Sequence, residues 1–211
     1  MTIGIMQPYL YPYIGYFQLI NAVDKFVILD DVNYINKGRV NRNVLPSGKF
    51  TIPLINATQN RLIRDIEMVK GGGVEFMERL QREYSKSDYY NIVIRSVVNV
   101  WGDKITTACY ASMIAVSAYL GIQTEIIETS SSIPHEGKAQ DRILSICHAL
   151  GADRYINPEG GVGLYDVDLF RRNGVELKFL KSSGSKFSII DTLMNYSPEE
   201  IKEMLNDYEL F

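Results

Sequence analysis

Cysteine is scarce in this chain of 211 residues: Cys109 and Cys147 are the only two, and they form no Cys-x-x-Cys pair. That excludes a disulfide framework and a thiolate zinc site, and it reads as two small core residues in a reducing, cytoplasmic compartment. Long apolar runs are missing too. The two longest uncharged stretches, 1–23 and 105–124, are broken by Thr, Ser, Gln, Asn or Pro well short of the roughly 20 apolar residues that cross a bilayer, so no membrane span is expected. The opening MTIGIMQPYLYPYIGYF has neither a basic region nor a small-residue cleavage site, so no signal peptide is expected. Histidine is limited to His135 and His148, with no further ligands at zinc spacing. An excess of positive charge is also absent. Lys and Arg number 22 against 25 Asp and Glu, a net charge of -3, which argues against general nucleic-acid binding. What the chain does have is apolar material: 46% hydrophobic residues, with 14 Tyr and 8 Phe. That is enough to bury a core and excludes a disordered chain, at a length for one or at most two domains.

The pattern predicts alternating strands and helices. Residues 2–6 are a short apolar run, Phe17 to Val23 has helical spacing, and Lys25 to Leu29 is β-rich, together the size of one βαβ unit. Phe50 to Ile55 reads as an edge strand because of Pro53, and residues 61–69 as a strand or short helix. Helices are expected at 74–84, across 88–120 with Gly121 as stop, and at 141–150 with Gly151 as stop. Strands follow at 124–127, 154–157 and 175–180, then a short helix at 166–173. An exposed C-terminal helix is expected at 198–206, with Ser197 and Glu200 as capping box. No linker or repeat divides the chain. The expectation is one α/β domain with a mostly parallel sheet and a mainly helical segment at about 74–120.

The densest polar segments flank the first βαβ unit. Gln7 to Tyr16 holds four tyrosines (9, 11, 13 and 16) and two prolines, a stiff loop of aromatic faces and phenolic donors. Gly15, at a helix start, would let a ligand approach the backbone, and that helix end would favour phosphate; the alternative is an aromatic core plug. After the second strand come Asp30 and Asp31, a carboxylate pair for a magnesium ion or a substrate amine. Lys37, Arg39, Asn41 and Arg42 behind them would hold phosphates, or simply make a charged surface loop. His135 is a candidate general base, although a lone loop histidine is more often just exposed. Asn157, Glu159, Gly160 and Gly161 form a Gly-rich loop that fits neither a dinucleotide fingerprint nor a P-loop and would face a sugar or phosphate. Ser183 and Lys186 add a hydroxyl and a cation.

QPYLYPYIGYFQLINAVDKFVILDDVNYINKGRVNRN at 7–43 resembles the opening of the WbqC-like family, and the likeness continues at 143–161 and 187–200. Members are associated with bacterial O-antigen and surface-polysaccharide gene clusters, and some are described as glycine or aminoacyl transferases acting on amino sugars. The resemblance therefore implies a cytoplasmic transferase that takes a nucleotide-linked amino sugar, with Asp30 or Asp31 orienting the amine and Asn157 and Glu159 on sugar hydroxyls. The donor stays open, an aminoacyl-tRNA included, as does the oligomeric state. Tyr13-Ile14-Gly15-Tyr16 also resembles the HxGH motif of nucleotidyltransferases, with tyrosine at both histidine positions. That likeness implies a Rossmann-like, nucleotidyltransferase-like three-layer sandwich. It also gives an alternative function, adenylyl transfer with ATP and magnesium, in which Ser183 and Lys186 sit where such folds carry a second phosphate loop. A third reading is a nucleotide-sugar binding protein without turnover.

Overall fold

The computed structural model describes residues 1–98 and 101–211. The βαβ opening is β1 (Thr2–Met6), α1 (Ile14–Asn21) and β2 (Lys25–Ile28), with the strands paired parallel from Ile3 opposite Lys25 to Met6 opposite Ile28. Two small ribbons follow, β3 (Arg42–Leu45) with β4 (Gly48–Thr51) and β5 (Leu54–Ile55) with β6 (Glu67–Met68). Next come α2 (Val74–Tyr84), α3 (Tyr90–Val93), α4 (Ile105–Leu120) and β7 (Glu125–Ile127). The chain closes with α5 (Ala139–Leu150), β8 (Arg154–Pro158), α6 (Val167–Arg172), β9 (Glu176–Ser182), α7 (Ile189–Asn195), α8 (Pro198–Met204) and β10 (Tyr208–Leu210).

Six strands form one sheet in the order β10-β9-β8-β1-β2-β7, parallel except for β10. Successive side chains of a strand point to opposite faces, and both faces are buried. Phe26 and Ile28 pack with α1, α4, α7 and α8, while Ile3, Ile5, Val27 and Tyr155 pack with α5 and α6. Helices on both faces give the Rossmann-like three-layer arrangement. From β1 the chain winds to β2 and β7 on one side, and β8 and β9 lie on the other. The β1–β8 boundary is therefore the topological switch point, where a crevice opens at the carboxyl ends of the strands.

The two helix stops behave as expected: Gly121 and Gly151 cap α4 and α5 in left-handed conformation, φ 72 and 68. Ser197 and Glu200 form the capping box, but the helix behind them is not exposed throughout, since Ile201 is fully buried. Two expectations are corrected. The strand drawn through 50–55 breaks at Ile52-Pro53, where the proline lacks an N–H for the first ribbon and its carbonyl instead accepts from Val69. The continuous helix across 88–120 is also broken. It consists of α3, a π turn at Ile94–Val98 and α4, and Asp103 accepts from the Met68 backbone at the end of β6. Asn99 and Val100 within it lie outside the described residues.

Candidate functional site

Gln7 to Tyr13 leaves β1 at the switch point as a loop held from several sides. Asn43 of β3 accepts from the Tyr9 hydroxyl at 2.8 Å, and its amide donates to the carbonyls of Leu10 and Tyr11. Ser188 donates to the Tyr11 carbonyl at 2.8 Å. Tyr11 takes φ +45, a left-handed conformation rare for an aromatic residue, and these bonds sustain it. Its ring is fully buried on Phe76 and its hydroxyl donates to the Val98 carbonyl at 2.8 Å. Tyr11 thus has no face left for a substrate, which corrects its assignment as a binding residue. Tyr16 is also 97% removed from solvent in effect, being 3% exposed, and its hydroxyl donates to the Gln7 carbonyl at 2.8 Å. Burial drives both phenols well above their ordinary range, so neither ionises near neutrality.

Tyr13 faces the other way. It lines a cleft of about 600 Å³ with Gln7, Tyr9, Arg39, Glu159, Gly160, Ser182 and Lys186. The Lys186 ammonium stands 5.0 Å from the centre of the Tyr13 ring and donates to the Ser182 hydroxyl at 2.9 Å. Arg39 reaches the Tyr9 hydroxyl at 3.4 Å. Burial raises the Tyr9 phenol and Arg39 partly offsets it. Among the described residues of this cleft, two cations and one carboxylate, Glu159, border a flat aromatic wall. Such a set suits a ligand with an anionic end, a ring to stack and a hydrogen-bonding or cationic end. A smaller pocket of about 300 Å³, lined by Lys37, Arg39, Arg42 and Lys49, shares Gly38 and Arg39 with the cleft.

The aspartate pair lies outside both. Asp30 is 3% exposed, and its Oδ1 accepts from the hydroxyls of Thr129 at 2.7 Å and Ser130 at 3.2 Å. Asp31 accepts from Ser130 at 2.7 Å, from His135 Nε2 at 2.7 Å and from Arg142 at 3.5 Å. Burial pushes the Asp30 carboxyl up, only partly opposed by Thr129 and Ser130. For Asp31 burial also pushes up, but the bonds from Ser130 and His135 and the charge of Arg142 outweigh it, so this carboxyl falls below its usual range. These groups clamp the end of β2 to the segment before α5. The structure thus does not bring the two aspartates together with the aromatic loop, as the sequence suggested. Neither carboxylate lines the cleft: Asp30 Oδ1 and both oxygens of Asp31 are held by hydroxyls, imidazole and guanidinium, and Asp31 borders a separate pocket of about 630 Å³ with Lys138, Arg142 and Tyr165. Among the described residues no group of three or more His, Cys, Asp or Glu is placed to hold a metal. His135 has Asp31 2.7 Å from Nε2 and the Ile133 carbonyl 2.7 Å from Nδ1, so both ring nitrogens face groups of the fold and neither lines the cleft.

Residues 7–203 match the profile of the WbqC-like protein family. The chain belongs to that family. It is also similar to the uncharacterized protein Rv1507c of Mycobacterium tuberculosis, with 21% identity over 221 residues that cover 93% of this chain and 94% of that one. No solved structure matches significantly.

Several further residues of this WbqC-like chain are structural where the sequence suggested contact. Gly15 was expected to admit a ligand, but the space beside it is filled: a Cβ there would lie 2.6 Å from that of Ser182 and closer still to the Tyr13 ring. Asn41 is buried, accepting from Tyr34 at 2.9 Å and donating to Ile52. Asn157 is 6% exposed and accepts from Tyr155 at 2.9 Å, and Gly161 is buried against its amide. Ser183 donates to the backbone and carboxylate of Asp207, both at 2.6 Å, away from the cleft. Within YIGY, Tyr16 borders the cleft with its ring but has no free hydroxyl at the position of the second histidine. Ser182 reads in the sequence only as one hydroxyl of the Ser-rich segment 182–186, and Lys49 was missed. The first falls two residues past the predicted end of β9, and the second belongs to a turn that carried no functional signal.

Proposed function

We propose that this WbqC-like protein is a cytoplasmic transferase of bacterial surface-polysaccharide biosynthesis that binds a nucleotide-linked amino sugar in the switch-point cleft and transfers an aminoacyl group, such as glycine, to the sugar amine. The observation that carries the reading is that Lys186 over Tyr13, Arg39 against Tyr9 and the carboxylate of Glu159 line one cleft. The cations would hold the diphosphate, Arg39 with two donors and Lys186 as a point charge. Tyr13 offers a face to a base or sugar ring. Glu159 takes over the part first given to the aspartates. It would accept a proton from the sugar ammonium, freeing the nitrogen lone pair. The nitrogen then attacks the aminoacyl carbonyl carbon, a carbon–nitrogen bond forms, and the bond to the donor's leaving group breaks. The leaving group departs with the electron pair and takes the proton held by Glu159, and the second proton of the former amine passes from the new amide nitrogen to the Glu159 carboxylate so freed. Holding the two reactants together supplies much of the rate.

Mass-spectrometric detection of aminoacylated nucleotide sugar tests this. Glu159→Gln is expected to lower kcat by about 10²- to 10⁴-fold, the usual worth of a general base, with KM little changed. Wild-type kcat in that variant would remove Glu159 from the chemistry. Binding of the nucleotide sugar without turnover by the wild type would instead favour a carrier role.

A further inference from the structure

We propose that Lys37, Arg42 and Lys49, with Arg39 on the wall shared with the cleft, form a second anion subsite, which takes a phosphate-bearing group of the co-substrate while Arg39 and the cleft hold the sugar nucleotide. The inference rests on the functional reading above and adds where the second reactant is gripped. All four residues line one pocket of about 300 Å³. Among the described residues none of them forms an ion pair, although the chain has more carboxylates than cations, and Lys25, Arg79 and Arg154 each have a carboxylate within 4 Å.

Strand register makes the grouping costly without a ligand. On the β3–β4 ribbon Arg42 pairs with Thr51 and Val44 with Lys49. Residues opposite one another share a face, so Arg42 and Lys49 are diagonal neighbours, roughly 7–8 Å apart at such positions. Asn43 and Phe50 occupy the buried face. Two like charges side by side oppose each other unless an anion lies between them. Arg42 adds a second sign: its Nε is shut off from solvent and has no acceptor. A buried donor left without a partner is costly, and the fold itself gives the Arg42 guanidinium no acceptor at that atom.

Size and position narrow the ligand. The pocket has room for one or two phosphoryl groups and a small attached group, and the overall charge of -3 disfavours a long polyanion. Gly38 and Arg39 border both the pocket and the cleft, so a molecule anchored by phosphate in the pocket can extend its other end toward the sugar nucleotide. A donor of that form bears both a phosphate and an activated acyl group, either an acyl nucleotide (a mixed anhydride) or an acyl thioester of phosphopantetheine.

Calorimetric titration of the full chain with inorganic pyrophosphate tests the subsite, using Lys186→Gln and the double variant K37Q/K49Q, whose two side chains are exposed and so spare the fold. Two sites are expected in the wild type. K37Q/K49Q should weaken one by about tenfold or more and spare the other, as loss of charged hydrogen bonds implies, and Lys186→Gln should do the reverse. Loss in Lys186→Gln with none in K37Q/K49Q overturns the subsite and leaves the cleft standing. Loss in K37Q/K49Q alone upholds the subsite and removes Lys186 from phosphate binding. Wild type without pyrophosphate binding overturns the subsite. Displacement by AMP assigns a nucleotide donor and displacement by 4′-phosphopantetheine a thiol carrier; displacement by neither overturns the co-substrate assignment.

Discussion

The Tyr11 hydroxyl donates to the Val98 carbonyl from a ring with no solvent exposure. Removing it leaves a buried carbonyl without its partner, which costs about 1–3 kcal/mol. Tyr11→Phe should therefore lower the unfolding midpoint in a denaturant titration while leaving nucleotide-sugar affinity at the wild-type value; a weakened affinity with unchanged stability would return Tyr11 to the site. Residue types were legible in the sequence here, but directions were not. Tyr11 and Tyr13 stand two apart in one loop with similar neighbours, yet the first enters the core and the second faces the cleft. The difference follows from the left-handed backbone at Tyr11, which Asn43 and Ser188 hold in place from 32 and 177 residues away. The same applies to Asp31, whose partners Ser130, His135 and Arg142 lie 99 to 111 positions further on. Lys186 was legible only as a cation after a Ser-rich turn; its place over Tyr13 depends on β9 ending beside the β1 loop.

At the scale of elements, Asp31 ties the end of β2 to the segment that leads into α5. Its carboxyl lies below the ordinary range, so the folded state binds that proton less readily than the unfolded chain does. The stabilisation is complete above about pH 4, the unperturbed carboxylate value, and is lost as pH falls through the lowered value. Asp30, pushed up by burial, works in the opposite sense, gaining folded-state stability as it protonates. Asp31→Asn should lower stability at neutral pH by about 1–3 kcal/mol, since it deprives His135 and Arg142 of their charged acceptor. It should also flatten the stability curve below about pH 4, as measured by urea unfolding across pH. A variant with the wild-type acid limb would show that the clamp carries none of the pH dependence. Elements themselves were the most readable part of the chain. The parallel pair around α1, the left-handed stops at Gly121 and Gly151 and the capping box at Ser197 each rest on local chemistry. The break between α3 and α4 was hidden, because residues 101–104 are placed by β6, a tertiary partner that helical periodicity does not register.

For the whole molecule, the sheet order decides where chemistry can collect. The crevice lies between β1 and β8, so the ends of β1, β8 and β9 supply the cleft, and the end of β2, one strand away, does not. A sequence reading that treats all strand ends as equivalent merges the aspartate clamp with the aromatic loop. A net charge of -3 likewise conceals a cationic pocket beside the cleft. No described helix is long and apolar enough to cross a membrane. The central claim is that the switch-point cleft binds a diphosphate-linked sugar through Lys186 and Arg39. The direct measurement is calorimetric titration of a panel of nucleoside diphosphate sugars into the wild type and into Lys186→Gln. The account predicts saturable binding of at least one panel member, weakened about tenfold or more in the variant, the worth of one charge-assisted hydrogen bond. Equal affinity in the two proteins, or no binding of any nucleotide sugar to the wild type, would contradict it.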